Sequence, residues 1–324
     1  MLNRRILRIK AFKVLFSYAE NRDMTLEEAL SALDISCEAT RDLYLQMLAV
    51  IPPLTAEAAR LTEAARGKFN PTEDELHPNL KFVNNALAPL LENDLDFTKL
   101  LERRHLGWGE DDAFVRKLYE SVRSSSYYAA YMADPEVSLA QDVRLFKKVF
   151  EHEFEDDDTL WQILEDRSIL WADELPYVLS FIVRDLDGVA RTGRWEYPPL
   201  YQSEMLQAQG KRADSDRAFV RKLLQSAFAR FGEYMDKVAA SAEGWDRDRL
   251  FTTDLVIIAM GLAEAENFPE IPVKVTINEC VEISKYYSTP RSRSFVNGIL
   301  DRLIRESEAE GRVHKAGRGL DQKS

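Results

Sequence analysis

Apolar residues recur at three- and four-residue steps along most of this chain. Leu2, Ile6, Ile9 and Phe16 form one stripe, joined by Phe12 and Leu15. Phe219, Leu223, Ala227, Phe231 and Tyr234 form a second, and Val273, Ile277 and Val281, continued by Ser284, a third. This is the period of the α-helix, and strand alternation is hard to find anywhere. The pattern predicts an all-α protein with helices near 4–20, 25–34, 36–51, 54–66, 77–101, 111–132, 137–154, 157–168, 172–187, 214–242, 249–266, 272–287 and 291–309. Pro272 suits the first turn of the helix it precedes, and Asp216 and Asp248 can each cap the helix next to them. Residues 67–75 (GKFNPTEDE) and 187–212, with Pro198-Pro199, read as loops. From Glu310 the chain has glycines and no apolar stripe, so 310–324 is expected to be a disordered tail.

One hexapeptide, AFVRKL, occurs twice, at 113–118 and at 218–223. Beyond it the match fades to scattered aromatics. Two readings stay open: a duplicated helical segment, or a shared amphipathic pattern.

Composition narrows the class. Apolar residues make up 45% of 324, which excludes disorder throughout. The longest apolar run, Leu255 to Ala263, is far shorter than the roughly 20 residues of a membrane span. Lys10 and Lys13 interrupt the stretch that a secretory signal would need. Cys37 and Cys280 stand alone, which fits a reducing cytoplasm and excludes a cysteine zinc site.

The net charge of −12 is unevenly spread. Positions 1–19 hold Arg4, Arg5, Arg8, Lys10 and Lys13 and no acid, whereas positions 151–174 hold ten acids and one base, Arg167. A polyanion would be drawn to the first region and repelled by the second.

Catalytic signatures do not emerge. No glycine-rich phosphate loop, no nucleophile elbow and no pair of His one turn apart occurs. His152 reads as part of a solvated face. Asp156 to Asp158 read as a helix start, where negative charge suits the dipole, and not as a calcium loop. No enzyme, cofactor or metal is expected.

Two segments together resemble the NusB family of transcription antitermination factors. At the amino terminus these are Arg4-Arg5, Arg8, Ala11 and Leu15-Phe16-Ser17-Tyr18, similar to that family's arginine-rich first helix. The second pairs IPVKVTINECVEISK with SFVNGILD inside 253–301. The resemblance implies an all-helical, non-catalytic bundle that binds boxA-like RNA, pairs with the ribosomal protein NusE and so reaches RNA polymerase indirectly. It covers about 1–24 and 214–304. The expected organisation is therefore a discontinuous NusB-like RNA-binding module, 1–24 with 214–309, and a helical insertion, 25–213.

Arg4, Arg5 and Arg8 lie within about a turn of one another, and guanidinium groups suit phosphate. Lys274 and Lys285 share the polar face of helix 272–287 and are candidate backbone contacts. Phe295 follows Arg291 and Arg293, and an aromatic beside arginines is where a splayed base stacks; the alternative is a core anchor. Glu279 and Asn297 read as structural, and Gly298 as a close-packing position. Tyr18 and Glu20 are candidates for a protein-facing surface by analogy with the family. Trp161 and Trp171 are expected in a core. A different class stays open: a helical protein-interaction scaffold without RNA binding.

Overall fold

The computed structural model describes residues 2–197, 215–241 and 251–320. Every regular element there is helical, with no strand among the described residues, as the apolar period predicts. In chain order these are α1 (Arg4–Glu20), α2 (Leu26–Leu48), α3 (Ile51–Arg66), α4 (Glu73–Leu76), α5 (Leu87–Glu92), α6 (Leu95–Arg104), α7 (Asp112–Ser124) and α8 (Ser126–Ala133). Then come α9 (Leu139–His152), α10 (Asp158–Arg167), α11 (Leu175–Thr192), α12 (Ser215–Ala229), α13 (Phe231–Ser241), α14 (Thr252–Asn267), α15 (Val273–Tyr287) and α16 (Ser292–Ala309). The Asp248 cap and the Pro198-Pro199 segment lie outside the described residues.

Several boundaries differ from the sequence reading, each for a local reason. The two helices expected over 25–51 are one, α2, because Asp34-Ile35-Ser36 includes neither Gly nor Pro. The helix expected over 77–101 is broken. Asn85 accepts hydrogen bonds from the amides of Leu87 and Ala88, and Asp94 from those of Asp96 and Phe97, so each starts a new helix. Ser125 likewise divides α7 from α8, accepting from the Tyr128 amide. The 67–75 loop holds a single helical turn closed by a Thr72/Glu75 capping box. Asp157 caps α10 by accepting from the Leu160 amide, the helix-start role expected of that acidic run.

The chain forms two compact units, Glu38–Leu200 and Leu2–Cys37 with Tyr201–Ser324. The division falls inside α2, later than the boundary expected at residue 25. Ala29, Leu33 and Cys37 pack into the same core as α1 and α14, which is why the first part of α2 joins that unit.

In the Glu38–Leu200 unit, α3 packs on α5 and α7, and α9 on α11. Tyr44, Phe82, Phe146, Phe150 and Phe154 are fully buried there. The indoles of Trp108 and Trp171 are buried too and donate to the carbonyls of Gln46 and Ala39, satisfying their one polar atom. Trp161 is half-buried against this core.

In the other unit α14 is central, packed by α1, α12, α13, α15 and α16. Its Val256–Ala265 stretch is buried on all sides, which explains the one long apolar run of the sequence. Close approach to α15 and α16 occurs at Gly261, where an added Cβ would lie 2.7 Å from Cys280 Sγ and 2.8 Å from Leu300 Cδ2. Gly298, expected to serve that purpose, has open space beside it.

Of the expected tail, residues 310–320 are described and 321–324 lie outside the described residues. Residues 310–320 pack onto this unit, with Val313 buried and a helical turn at Gly317–Leu320. Backbone and lysine hydrogen bonds hold the segment, and an apolar stripe is not needed for that.

Candidate nucleic-acid interface

The basic start of α1 is local in origin. Asn3 caps the helix by accepting from the Ile6 amide, and no acid occupies the first turn. Arginines are disfavoured at that end by the helix dipole, so their placement is not a helix-stabilising choice.

The three arginines meet different fates. Arg8 is buried, at 4% exposure. Its guanidinium makes a two-pronged pair with Glu264 of α14, at 2.7 and 3.0 Å. The Thr276 hydroxyl donates to the same carboxylate at 2.7 Å. Arg8 is thus a structural link among α1, α14 and α15, which corrects its expected role as an RNA contact: a buried, fully paired cation cannot reach phosphate.

Arg5 is half-exposed and donates to both oxygens of Glu279, at 2.9 and 2.8 Å. That hydrogen bonding holds the Glu279 carboxyl below the usual range and raises the Arg5 guanidinium. Glu279 is structural, as expected, and reserves Arg5 for itself in the free protein. Arg4 is the more available cation. It is half-exposed, 3.7 Å from Asp216, and its guanidinium lies 4.6 Å from the centre of the Phe219 ring.

These arginines line one open cleft of about 840 Å³, together with Ile271, Pro272, Val275 and Glu279. Asn3, Glu270 and Arg318 complete it. Arg318 went unnoticed in the sequence because it lies in a segment with no helical pattern.

Lys285 pairs with Glu282, whose carboxyl is held low by that contact and further by the charges of Arg5 and Arg293. The structure therefore gathers Arg5, Lys285 and Arg293 around Glu279 and Glu282, a surface of alternating charge. Arg291 is also exposed, at the start of α16. Lys274 faces a second cleft, of about 930 Å³, that includes Asn278, Asn297 and Arg305. Asn297 is exposed on it and not buried between helices.

Phe295 is 6% exposed and packs in the core with Val296 and Ile299. Of the two readings of this ring, the core anchor is correct, because the helical period turns position 295 inward. A base cannot stack on it. Tyr18 stacks on Phe228 at 4.1 Å between ring centres and meets Phe231 edge-on. The Arg22 guanidinium lies 5.1 Å from the centre of the Tyr18 ring, and Glu20 is exposed.

Among the described residues no group of acids, His and Cys is placed to hold a metal ion, and no helix is long and apolar enough to cross a membrane. Both cysteines are buried thiols.

Comparison with known proteins adds to this geometry. The NusB family model matches residues 197–305. The chain is 36% identical over 106 residues to the transcription antitermination protein NusB of Salinibacter ruber, covering 33% of this chain and 66% of that protein. It is 37% identical over 102 residues to the NusB of Chloroherpeton thalassium, covering 32% of this chain and 48% of that one. A third NusB, from Gloeobacter violaceus, is 37% identical over 100 residues, covering 31% and 47%. The chain thus spans between about half and two thirds of these relatives' lengths. No solved structure matches it. The matched segment contains α12 to α15 and most of α16, the helices that surround α14 and support the arginine cleft. Residues 197–305 thus carry a NusB-family domain, and over that segment the chain is similar to NusB proteins.

Proposed function

We propose that the protein is a transcription antitermination factor that binds boxA-like single-stranded RNA and acts without chemistry of its own. The observation that carries this reading is the arginine cleft of α1 set on the NusB-family helices. Arg4 is half-exposed there, and Arg5 is exchangeable between Glu279 and a phosphate. Both are guanidinium groups, which bind phosphate oxygens through paired hydrogen bonds. Lys274, Lys285, Arg291 and Arg293 are further exposed cations of the same unit and extend the electrostatic footprint. By the family's pattern the RNA is held beside NusE, with Glu20 and the half-buried Tyr18 on the side that NusE meets. RNA polymerase is then engaged indirectly, and the protein works in the cytoplasm. The NusB names of the relatives support this reading.

The test is a binding assay with boxA-like RNA, with and without NusE, over a salt series. A salt-dependent affinity that falls when Arg4 and Arg5 are both replaced by Ala supports the proposal. The slope of log affinity against log salt should drop by about 0.7 for each lost contact to a single-strand phosphate. An affinity and slope that ignore both replacements would leave a helical scaffold that binds proteins only.

A further inference from the structure

The arginine cleft has a wall that the family match does not cover. Residues beyond 305 lie outside the matched segment, yet Arg318 lines the cleft together with Arg4 and Arg5. Three features place it there.

The first is a reversal at the end of α16. Gly311 has φ of +69°, a conformation that only glycine adopts without strain. The Gly311 amide donates to the Glu308 carbonyl and the Arg312 amide to that of Ser307, at 3.0 and 2.8 Å. Arg312 then pairs with Glu233 of α13.

The second is an anchor on the end of α14. The Lys315 ammonium donates to the carbonyls of Ala265 and Phe268, at 2.9 and 3.1 Å, where a cation complements the helix dipole. The Ala316 amide donates to the Pro269 carbonyl at 3.0 Å.

The third is a contact that excludes any side chain. Gly319 lies so close to Pro269 that an added Cβ would fall 1.9 Å from the Pro269 carbonyl oxygen. The obstruction is backbone and cannot swing aside. The neighbouring Arg318 is held beside the α14–α15 connection by this contact, with its own side chain exposed.

We infer that the C-terminal segment 311–320 is a built part of the RNA site, with Arg318 as an additional phosphate-binding cation in the cleft that the arginines of α1 also line. The segment buries one apolar side chain, Val313, and uses three backbone-directed hydrogen bonds and a closely packed glycine to bring one guanidinium to the cleft. The charged residues that line the cleft together with Arg318 are Arg4, Arg5, Arg8, Glu270 and Glu279. Glu279 is engaged by Arg5, and Arg8 by Glu264. Among the described residues, Glu270 and, once Arg5 turns to phosphate, Glu279 are the carboxylates of the cleft that compete with phosphate for Arg318. This inference rests on the RNA-binding reading above.

The experiment uses the full chain and a fluorescent boxA-like single-stranded RNA, titrated at several salt concentrations, with thermal melts of each variant. Arg318→Ala should weaken binding about threefold to tenfold and lower the salt slope by about 0.7, with the melt unchanged. Arg318→Lys should keep the slope, because the charge stays. Gly319→Ala retains Arg318 but displaces the turn, and should weaken binding as Arg318→Ala does. If Arg318→Ala leaves affinity and slope intact while Arg4→Ala with Arg5→Ala lowers both, the tail has no part in the site and the inference is overturned, though the cleft reading stands. If neither set changes binding, or the unaltered chain does not bind the RNA, the RNA reading itself fails and the inference with it.

Discussion

The same six residues, AFVRKL, occur in α7 of one unit and in α12 of the other, and their neighbours make them different surfaces. In both, Phe, Val and Leu are buried: Phe114, Val115 and Leu118 in the first, Phe219, Val220 and Leu223 in the second. The polar positions diverge. Phe114 stacks on Trp108 at 4.9 Å, Arg116 pairs with Asp112 of its own helix, and Lys117 is held by Asp157. Phe219 lies instead under the guanidinium groups of Arg4 and Arg8, at 4.6 and 5.2 Å, and Arg221 pairs with Asp34. Local sequence therefore sets the helix and its buried face, while the elements around it decide whether that helix supports a core or an arginine cleft. The charge of the units follows the same division. Residues 38–200 carry 31 acids against 18 bases, whereas the rest of the chain carries 24 against 25. The acidic total belongs to one unit, and the unit with the NusB-family domain is nearly balanced, so phosphate meets no net repulsion from it.

Replacing the two phenylalanines should give the largest effects and divide them by function. Phe114→Ala and Phe219→Ala are each expected to cost roughly 3–5 kcal/mol in denaturant unfolding, from lost burial and a cavity. The milder Phe219→Leu should weaken RNA binding by removing the ring beneath Arg4, and Phe114→Leu should not. Equal effects of the two on RNA affinity would erase the contrast between the units.

Next is Arg8→Ala. It leaves Glu264 buried with only the Thr276 hydroxyl, and should cost about 3–5 kcal/mol. Arg4→Ala, at a half-exposed position, should scarcely move the melt while lowering RNA affinity. A small stability loss at Arg8 would mean that its buried pair is not what joins α1 to α14. In the acidic unit, Asp157→Ala should remove the α10 cap and the Lys117 pair, for about 1 kcal/mol, with no change in salt-dependent RNA binding.

Two smaller effects concern carboxylates beside arginines. Glu279→Gln should release Arg5 and raise RNA affinity severalfold at low salt. An unchanged affinity would show that Arg5 does not exchange partners. Glu233 is held down at about 2, first by Arg230 and then by Arg312. Because its folded value is depressed, its contribution is complete above its ordinary range near pH 4.5 and is lost as pH falls toward 2. Glu233→Gln should therefore narrow the stability difference between pH 5 and pH 2, as read by acid titration of the melt.

Much of the fold was legible because helical period and burial have the same cause. The stripe Leu2 to Phe16 predicted α1 to the residue, and Leu255–Ala263 is the centre of α14 because only a fully surrounded helix tolerates apolar residues on every side. Helix breaks were less legible, since Asn85, Asp94 and Ser125 act through their own caps, which compete with a continuing helix only once the chain has turned.

The all-helical class, the kinship of the 253–301 segment with NusB and the basic character of α1 could all be read along the chain. Each is local information, carried by period, motif or composition. Which cations stay available is a matter of packing. Arg8 is consumed by Glu264, which lies 256 positions away in the chain, Phe295 turns inward, and Arg318 arrives from a tail with no helical pattern. Those outcomes depend on pairs distant in sequence, and ion pairing, burial and close backbone approach are properties of the packed neighbours and not of the residue alone.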